Sequence, residues 1–223
     1  MQAHWWSEYG TDIISFGVSV ALLAGYHLYL AYRLRHDSSY TIQAINRAAR
    51  TAWVENIMDG DGQAIVGVQT LRNSTMAATF LASTAVLLII GTLTLTEQAD
   101  KLAASFHSIS VLGSKHTGLW VAKSLLLVAD FFIAFFSFSM SIRMFNHVGY
   151  LIGVPAERRP KALTAKRVAI HLNRAGGYYS LGMRAYHVSV PLVFWLFGPH
   201  LMLGATLVLI AVLYHLDRAP PTH

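Results

Sequence analysis

The chain contains no cysteine. That excludes disulfide bonds, a thiolate nucleophile and any cysteine-ligated metal. Charge is scarce: 13% of the 223 residues are Asp, Glu, Lys or Arg, against 54% hydrophobic. A mean hydropathy of +0.45 completes the profile of a polytopic membrane protein. The first residues, MQAHWWSEYGTD, carry no basic segment and no small-residue cleavage site after an apolar run, so a removed signal peptide is not expected. Internal repeats and low-complexity tracts are missing. So are the common catalytic signatures: no phosphate-cradling glycine loop, no HExxH and no convincing Ser–His–Asp order. DGDG at 59–62 begins like a calcium loop but lacks the third acidic position and the closing Glu, and reads as a turn.

What the chain does have is long apolar runs. The most informative is 117–153, TGLWVAKSLLLVADFFIAFFSFSMSIRMFNHVGYLIG. Residues 118–142 are long enough to cross a bilayer as a helix. Three further runs of this kind, at about 13–32, 75–96 and 188–214, give an all-α integral membrane four-helix bundle in a single domain, 1–223. Trp5, Trp6 and Tyr9 suit a membrane–water interface. In the first large loop, Ile42, Ile45, Ala49, Trp53 and Ile57 recur at helical spacing. Gln43, Asn46, Arg47 and Arg50 take the other side, predicting an amphipathic loop helix on the membrane or under the bundle. In the second span Ala78, Ala82 and Val86, with Thr75, Thr79 and Ser83, make a small-residue stripe that lets helices approach closely. The second large loop predicts a helix from Thr164 that stops at Gly176-Gly177. The last span should kink at Gly198-Pro199.

Basic residues orient these spans. Loop 33–74 holds five Lys or Arg and loop 143–186 holds eight, against two in 97–117, one in the C-terminal tail and none before the first span. Positive loops stay inside, so both large loops are expected in the cytoplasm and both termini outside, in the periplasm of a bacterial inner-membrane protein. The same distribution points to anionic lipid headgroups as partners and away from nucleic acid.

Polar residues within the spans are costly, about 3 kcal/mol for a charge near the centre. Lys123, Asp130 and Ser137 are seven apart and share one helix face, which must therefore look inward. Lys123 lies near one end, at the level of Asp12 in the mouth of the first span, and the two are expected to meet. Asp130 lies about 18 Å deep by helical rise. His200 reaches a similar depth in the last span, and Pro199 frees the Trp195 carbonyl beside it. An Asp130–His200 hydrogen bond is therefore expected. It reads either as a proton or ion site or as a buried clasp between helices.

Four stretches resemble an uncharacterised family of bacterial and plant membrane proteins, catalogued as domain of unknown function 599. They are NRAARTAWV at 46–54, VQTLRNSTMAATFLAST at 68–84, FFSFSMSIRMFNHVGYLIG at 135–153 and GMRAYHVSVPLVFWLFGP at 182–199. The resemblance implies a four-helix membrane fold and supplies no substrate. Its motif positions include Arg72, Asn73, Arg143, Asn146 and Arg184. Topology brings these, with His147 and His187, to the cytoplasmic ends of the spans, and His27 close to that level. The group reads either as an anion site or as helix caps that obey the positive-inside rule. His27, His147 and His187 are weak metal candidates; span histidines do not fall into two clean haem pairs, and no cofactor is expected. Three functions follow. The first is a binding or assembly subunit that self-associates or docks to a larger membrane complex. The second is an oligomeric proton- or ion-coupled transporter or channel using Asp130. The third is a membrane enzyme with a cytoplasmic-face anion site.

Overall fold

A computed structural model of the protein describes residues 2–37, 40–60, 63–98 and 117–219, with the backbone alone at 2–9 and 117. The described residues form six α-helices and no strand. They are α1 (Gln2–His36), α2 (Ile42–Asp59), α3 (Ala64–Glu97), α4 (Thr117–Ile152), α5 (Ala165–Phe197) and α6 (Pro199–Asp217), with one 3-10 turn at Ala156–Arg158. Four stretches are long and apolar enough to cross a membrane: Gly10–His36, Ala64–Glu97, Gly118–Ile152 and Pro199–Asp217. The protein is therefore an all-α integral membrane protein with four such helices. Trp5, Trp6, Tyr9 and residues 61–62 of the DGDG turn lie outside the described side chains or residues.

Two compact units divide the chain. The first comprises 1–41, 87–132 and 185–223. Its core joins Ile89 of α3, Leu127, Val128 and Phe131 of α4, Leu192 and Trp195 of α5, and Met202 of α6. A polar seam runs between α1 and α6. The buried Thr206 hydroxyl bonds Ser19 at 3.1 Å, and the Tyr26 hydroxyl donates to Asp217 at 2.8 Å. Advancing along α1 advances along α6, so these helices run in the same direction. Lys123 meets Trp195, and Phe131 meets Tyr186 edge-on. Advancing along α4 therefore retreats along α5. At the far end of α1, Thr41 forms an antiparallel bridge with Arg218, the Ala219 amide donates to the Tyr40 carbonyl at 3.0 Å, and the Arg33 guanidinium sits 4.6 Å from the Tyr40 ring centroid.

This arrangement corrects one expectation. The run 188–214 is not one kinked span, because the helix ends at Phe197 and a new one starts at Pro199. Pro199 has no N–H to return to Trp195, and Gly198 between the helices is extended. Residues 218–219 lie beside Tyr40 and Thr41, at the opposite end of α1 from Asp12.

The second unit comprises 42–86 and 133–184. Val54, Ile57 and Met58 of α2 pack with Leu71 of α3, Phe145, Val148 and Ile152 of α4, and Val168, Ala169, Leu172 and Ala175 of α5. The amphipathic α2 is present, but turned from the expected register: Ile45 and Ala49 are exposed, while Arg50 is half-buried. Arg159 fastens the 3-10 segment to α2 through the Met58 carbonyl at 2.9 Å. Helix α3 starts at Ala64, so QTLRN lies within it and does not lead into it.

Helix α5 corrects another expectation. The Thr164 hydroxyl accepts the Arg167 amide at 3.3 Å and starts the helix as expected, but Gly176-Gly177 does not stop it. Those glycines cost helix propensity, about 1 kcal/mol each relative to Ala. Close packing explains Gly176, and likewise Gly182 further along the helix. A Cβ at Gly176 would lie 2.5 Å from Nη1 of Arg50, and one at Gly182 would lie 2.8 Å from the Phe138 ring.

Candidate functional site

Inside the first unit, three helices place a charged cluster in apolar surroundings. Asp12 and Lys123 are both buried, at 0% and 6% exposure, and form an ion pair. The Trp195 indole donates to the same Asp12 oxygen at 2.9 Å. Lys123 also donates to the Trp195 carbonyl at 3.2 Å and lies 5.0 Å from the indole centroid. Phe16 stacks on the other side of that indole with ring centroids 4.8 Å apart. The local sequence explains the arrangement. Pro199 cannot donate to Trp195, so that carbonyl is left without its helical partner four residues on. A lysine ammonium, with three donors and no acceptor, supplies the hydrogen bond and needs a counter-charge, which Asp12 provides.

Asp130, one face-repeat further along α4, is not part of this cluster. Its Oδ2 is buried and accepts no hydrogen bond among the described residues. No direct Asp130–His200 hydrogen bond forms within the chain, and His200 is exposed on α6. The break at Gly198 is the reason: it starts a new helix at Pro199, so the depth counted along one continuous 188–214 span does not apply. Lys123 and Ser137, on the same face as Asp130, are buried. The Lys123 ammonium takes the freed Trp195 carbonyl that had been assigned to the Asp130–His200 pair.

The arginine motif residues stay apart. Arg72 is exposed on α3 and bonds Gln69 of its own helix at 3.2 Å, with Asn73 exposed beside it. Arg143, Asn146 and His147 are exposed on α4 and line a shallow groove made by that helix alone. Arg184 is half-buried on α5. No hydrogen bond among the described residues joins Arg72 or Arg143 to Asn73 or Asn146. Helix-end counting brought these residues to one level without fixing their directions around each helix. His27 is exposed on α1 and bonds the Leu23 carbonyl of its own helix at 2.7 Å. Among the described residues no three His, Asp or Glu side chains gather closely enough to hold a metal ion, so His27, His147 and His187 do not form a site.

A basic group that motif reading missed lies in the second unit. Arg50 Nε donates to Asn173 Oδ1 at 2.9 Å, and Asn173 Nδ2 donates to Thr51 Oγ1 at 3.1 Å. Burial, then the like charge of Arg47 one turn earlier, lowers the Arg50 pKa. The only sequence signals were Gly176, which leaves room for the guanidinium, and Arg50 standing within NRAARTAWV.

The family model described as "Protein of unknown function, DUF599" matches residues 14–222, nearly the whole chain. The chain belongs to the DUF599 family. No curated protein and no solved structure matches it. Membership gives this DUF599 protein a family without an assigned chemistry, so its function must be read from its own geometry.

Proposed function

We propose that this DUF599 protein is a non-catalytic binding or assembly subunit of the bacterial inner membrane, self-associated or docked to a larger complex. The observation that carries this reading is the closed Asp12–Lys123–Trp195 cluster. Its strong donors and acceptors satisfy one another in a buried place, which is the arrangement of a clasp between helices and leaves no reactive group presented to a substrate. The small-residue stripe of α3 adds support. Ala78 and Ala82 are buried within the chain, whereas Thr79 and Ser83 face outward, where small residues let a neighbouring helix approach. The test is extraction of the tagged protein in polymer-bounded native lipid discs. Two or more copies, or a stoichiometric second protein, support the reading. A solitary chain that moves ions in vesicles overturns it.

A second reading rests on Asp130, whose Oδ2 is buried at membrane depth without a donor. A protonatable carboxyl there suits proton coupling. Purified protein in vesicles with a trapped pH dye decides it. Proton flux that Asp130→Asn removes supports coupling; absent flux, or flux unchanged by Asp130→Asn, excludes it.

For orientation, the positive-inside rule puts the basic loops in the cytoplasm. Consecutive spans alternate, so α4 runs with α1. Since α5 runs against α4 and α6 runs with α1, α5 and α6 form a hairpin reversing at Gly198. Helix α5, less apolar than the other four, is then a fifth crossing, with the N-terminus outside and residue 218 inside. The cysteine-free chain allows a direct check. Ser108→Cys should react with an impermeant maleimide in intact cells, whereas Ser39→Cys and Thr222→Cys should react only after permeabilisation. All three positions lie outside the described residues. Labelling of Thr222→Cys in intact cells restores the arrangement with both termini outside.

A further inference from the structure

We propose that the groove between α2 and α5 binds the phosphate of an anionic phospholipid. The groove, of about 530 Å³, is lined by Arg47 of α2 and by Ile170, Asn173, Arg174, Gly177, Tyr178 and Leu181 of α5. This deepens the binding reading above, since it names a ligand class and a place for it.

The charge in the groove is unbalanced. Arg47 and Arg174 are exposed, and no carboxylate pairs with them among the described residues. Behind them, Arg50 is held by Asn173, a groove residue. Its guanidinium occupies the place of a Cβ at Gly176, so a side chain there would have to displace it. The guanidiniums of Arg47 and Arg50, one turn apart on α2, repel one another when no anion is present, and Arg174 adds a third positive charge to the same groove. A phosphate, with several acceptor oxygens, satisfies such donors and relieves that repulsion.

The walls select a lipid over a free phosphate. Ile170 is 53% and Leu181 48% exposed, and they lie on the same exposed stripe of α5 as Arg174, Gly177 and Tyr178. A headgroup phosphate at Arg47 and Arg174 would send its acyl chain along Tyr178 and Leu181. Gly177 forms the floor between the basic and apolar parts: a Cβ there would meet nothing within 4 Å. Phosphate and chain share one continuous strip, the geometry of a single amphiphile bound lengthwise. Five cationic positions in the first loop and eight in the second give the same face a general attraction for anionic lipid. The groove adds a defined place for one molecule.

The test uses the full chain purified in a zwitterionic detergent, followed by thermal melting. Dioleoylphosphatidylglycerol, dioleoylphosphatidylcholine and inorganic phosphate are titrated separately. Phosphatidylglycerol should raise the melting temperature saturably, and phosphatidylcholine and inorganic phosphate should not at matched concentration. Arg47→Gln with Arg174→Gln should weaken the apparent affinity at least tenfold; both side chains are exposed, so the fold should survive. Gly177→Phe keeps every charge and fills the groove, and should abolish the saturable shift, whereas Gly177→Ala should leave most of it. An equal shift by phosphatidylcholine, or a shift unchanged in Gly177→Phe, overturns the proposal. An equal shift by inorganic phosphate replaces the lipid with a free anion and overturns it as well. Copy number in native lipid discs is read separately, so a failed groove leaves the assembly reading standing.

Discussion

Lys123→Met is expected to destabilise the folded protein by about 3–5 kcal/mol, the cost of leaving one member of a buried ion pair alone. Methionine fills much the same volume and keeps the apolar stem, so the loss reports the ammonium. Three groups lose their partner together: the Asp12 carboxylate, the Trp195 carbonyl that Pro199 already deprives of a helical donor, and the face of the Trp195 indole. Asp12 still accepts the indole N–H, but a neutral donor does not replace the lost counter-charge. Pairing Lys123→Met with Asp12→Asn removes both charges and keeps an acceptor for the indole, so the double variant should recover most of the loss. Denaturant unfolding in mixed micelles, read by tryptophan fluorescence, measures both. A single variant within 1 kcal/mol of the parent, or a double variant no better than the single, contradicts the clasp. An ion pair that served transport would instead show altered flux at unchanged stability.

Gly182→Leu should prevent stable folding, while Gly177→Leu, five residues earlier on the same helix, should be tolerated. At Gly182 even a Cβ would lie 2.8–2.9 Å from three atoms of the Phe138 ring. Phe138 is fully buried and packs edge-on to Tyr179 with centroids 5.7 Å apart, so the ring cannot turn aside. Overpacking of this kind costs about 1–3 kcal/mol for modest insertions, and a leucine asks for more than a methylene. Gly182→Ala gains up to about 1 kcal/mol of helix propensity, which offsets only part of the clash. Gly177 faces open space, so Gly177→Ala should stabilise by up to that amount. Folded yield after size-exclusion chromatography separates the two positions. Similar yields for Gly182→Leu and Gly177→Leu would show that α4 and α5 do not meet at Phe138.

Most of the helices could be read from the amino-acid order, because membrane helices satisfy their own backbone and need apolar length. The runs at 13–32, 75–96 and 118–142 fall within α1, α3 and α4, and the spacing in 42–57 found α2. Family membership was legible from VQTLRNS and SIRMFNH, since such local patterns need no partner. Charge cost also constrained Lys123. A lysine inside a span must find an acid, and Asp12 stood at a matching depth.

Other features depended on direction, and direction is a tertiary property. A proline removes one hydrogen bond, but whether the chain then bends or turns back depends on what the next helix can pack against. Here α6 finds the polar seam of Ser19 and Tyr26 on α1. That contact sets residue 218 beside Thr41 and leaves His200 exposed. The same limit applied to Gly176-Gly177. Two adjacent glycines weaken a helix in isolation, yet the packing of Arg50 and the core around Leu172 and Ala175 carries α5 through them. Arg72 and Arg143 are exposed on their helices, and rotation about each axis keeps the two out of any shared hydrogen-bonded cluster among the described residues. Sequence determined the apolarity and charge of each helix, because these are properties of a helix alone. Tertiary structure decided which polar groups meet, because that requires the rotation and direction of two helices at once.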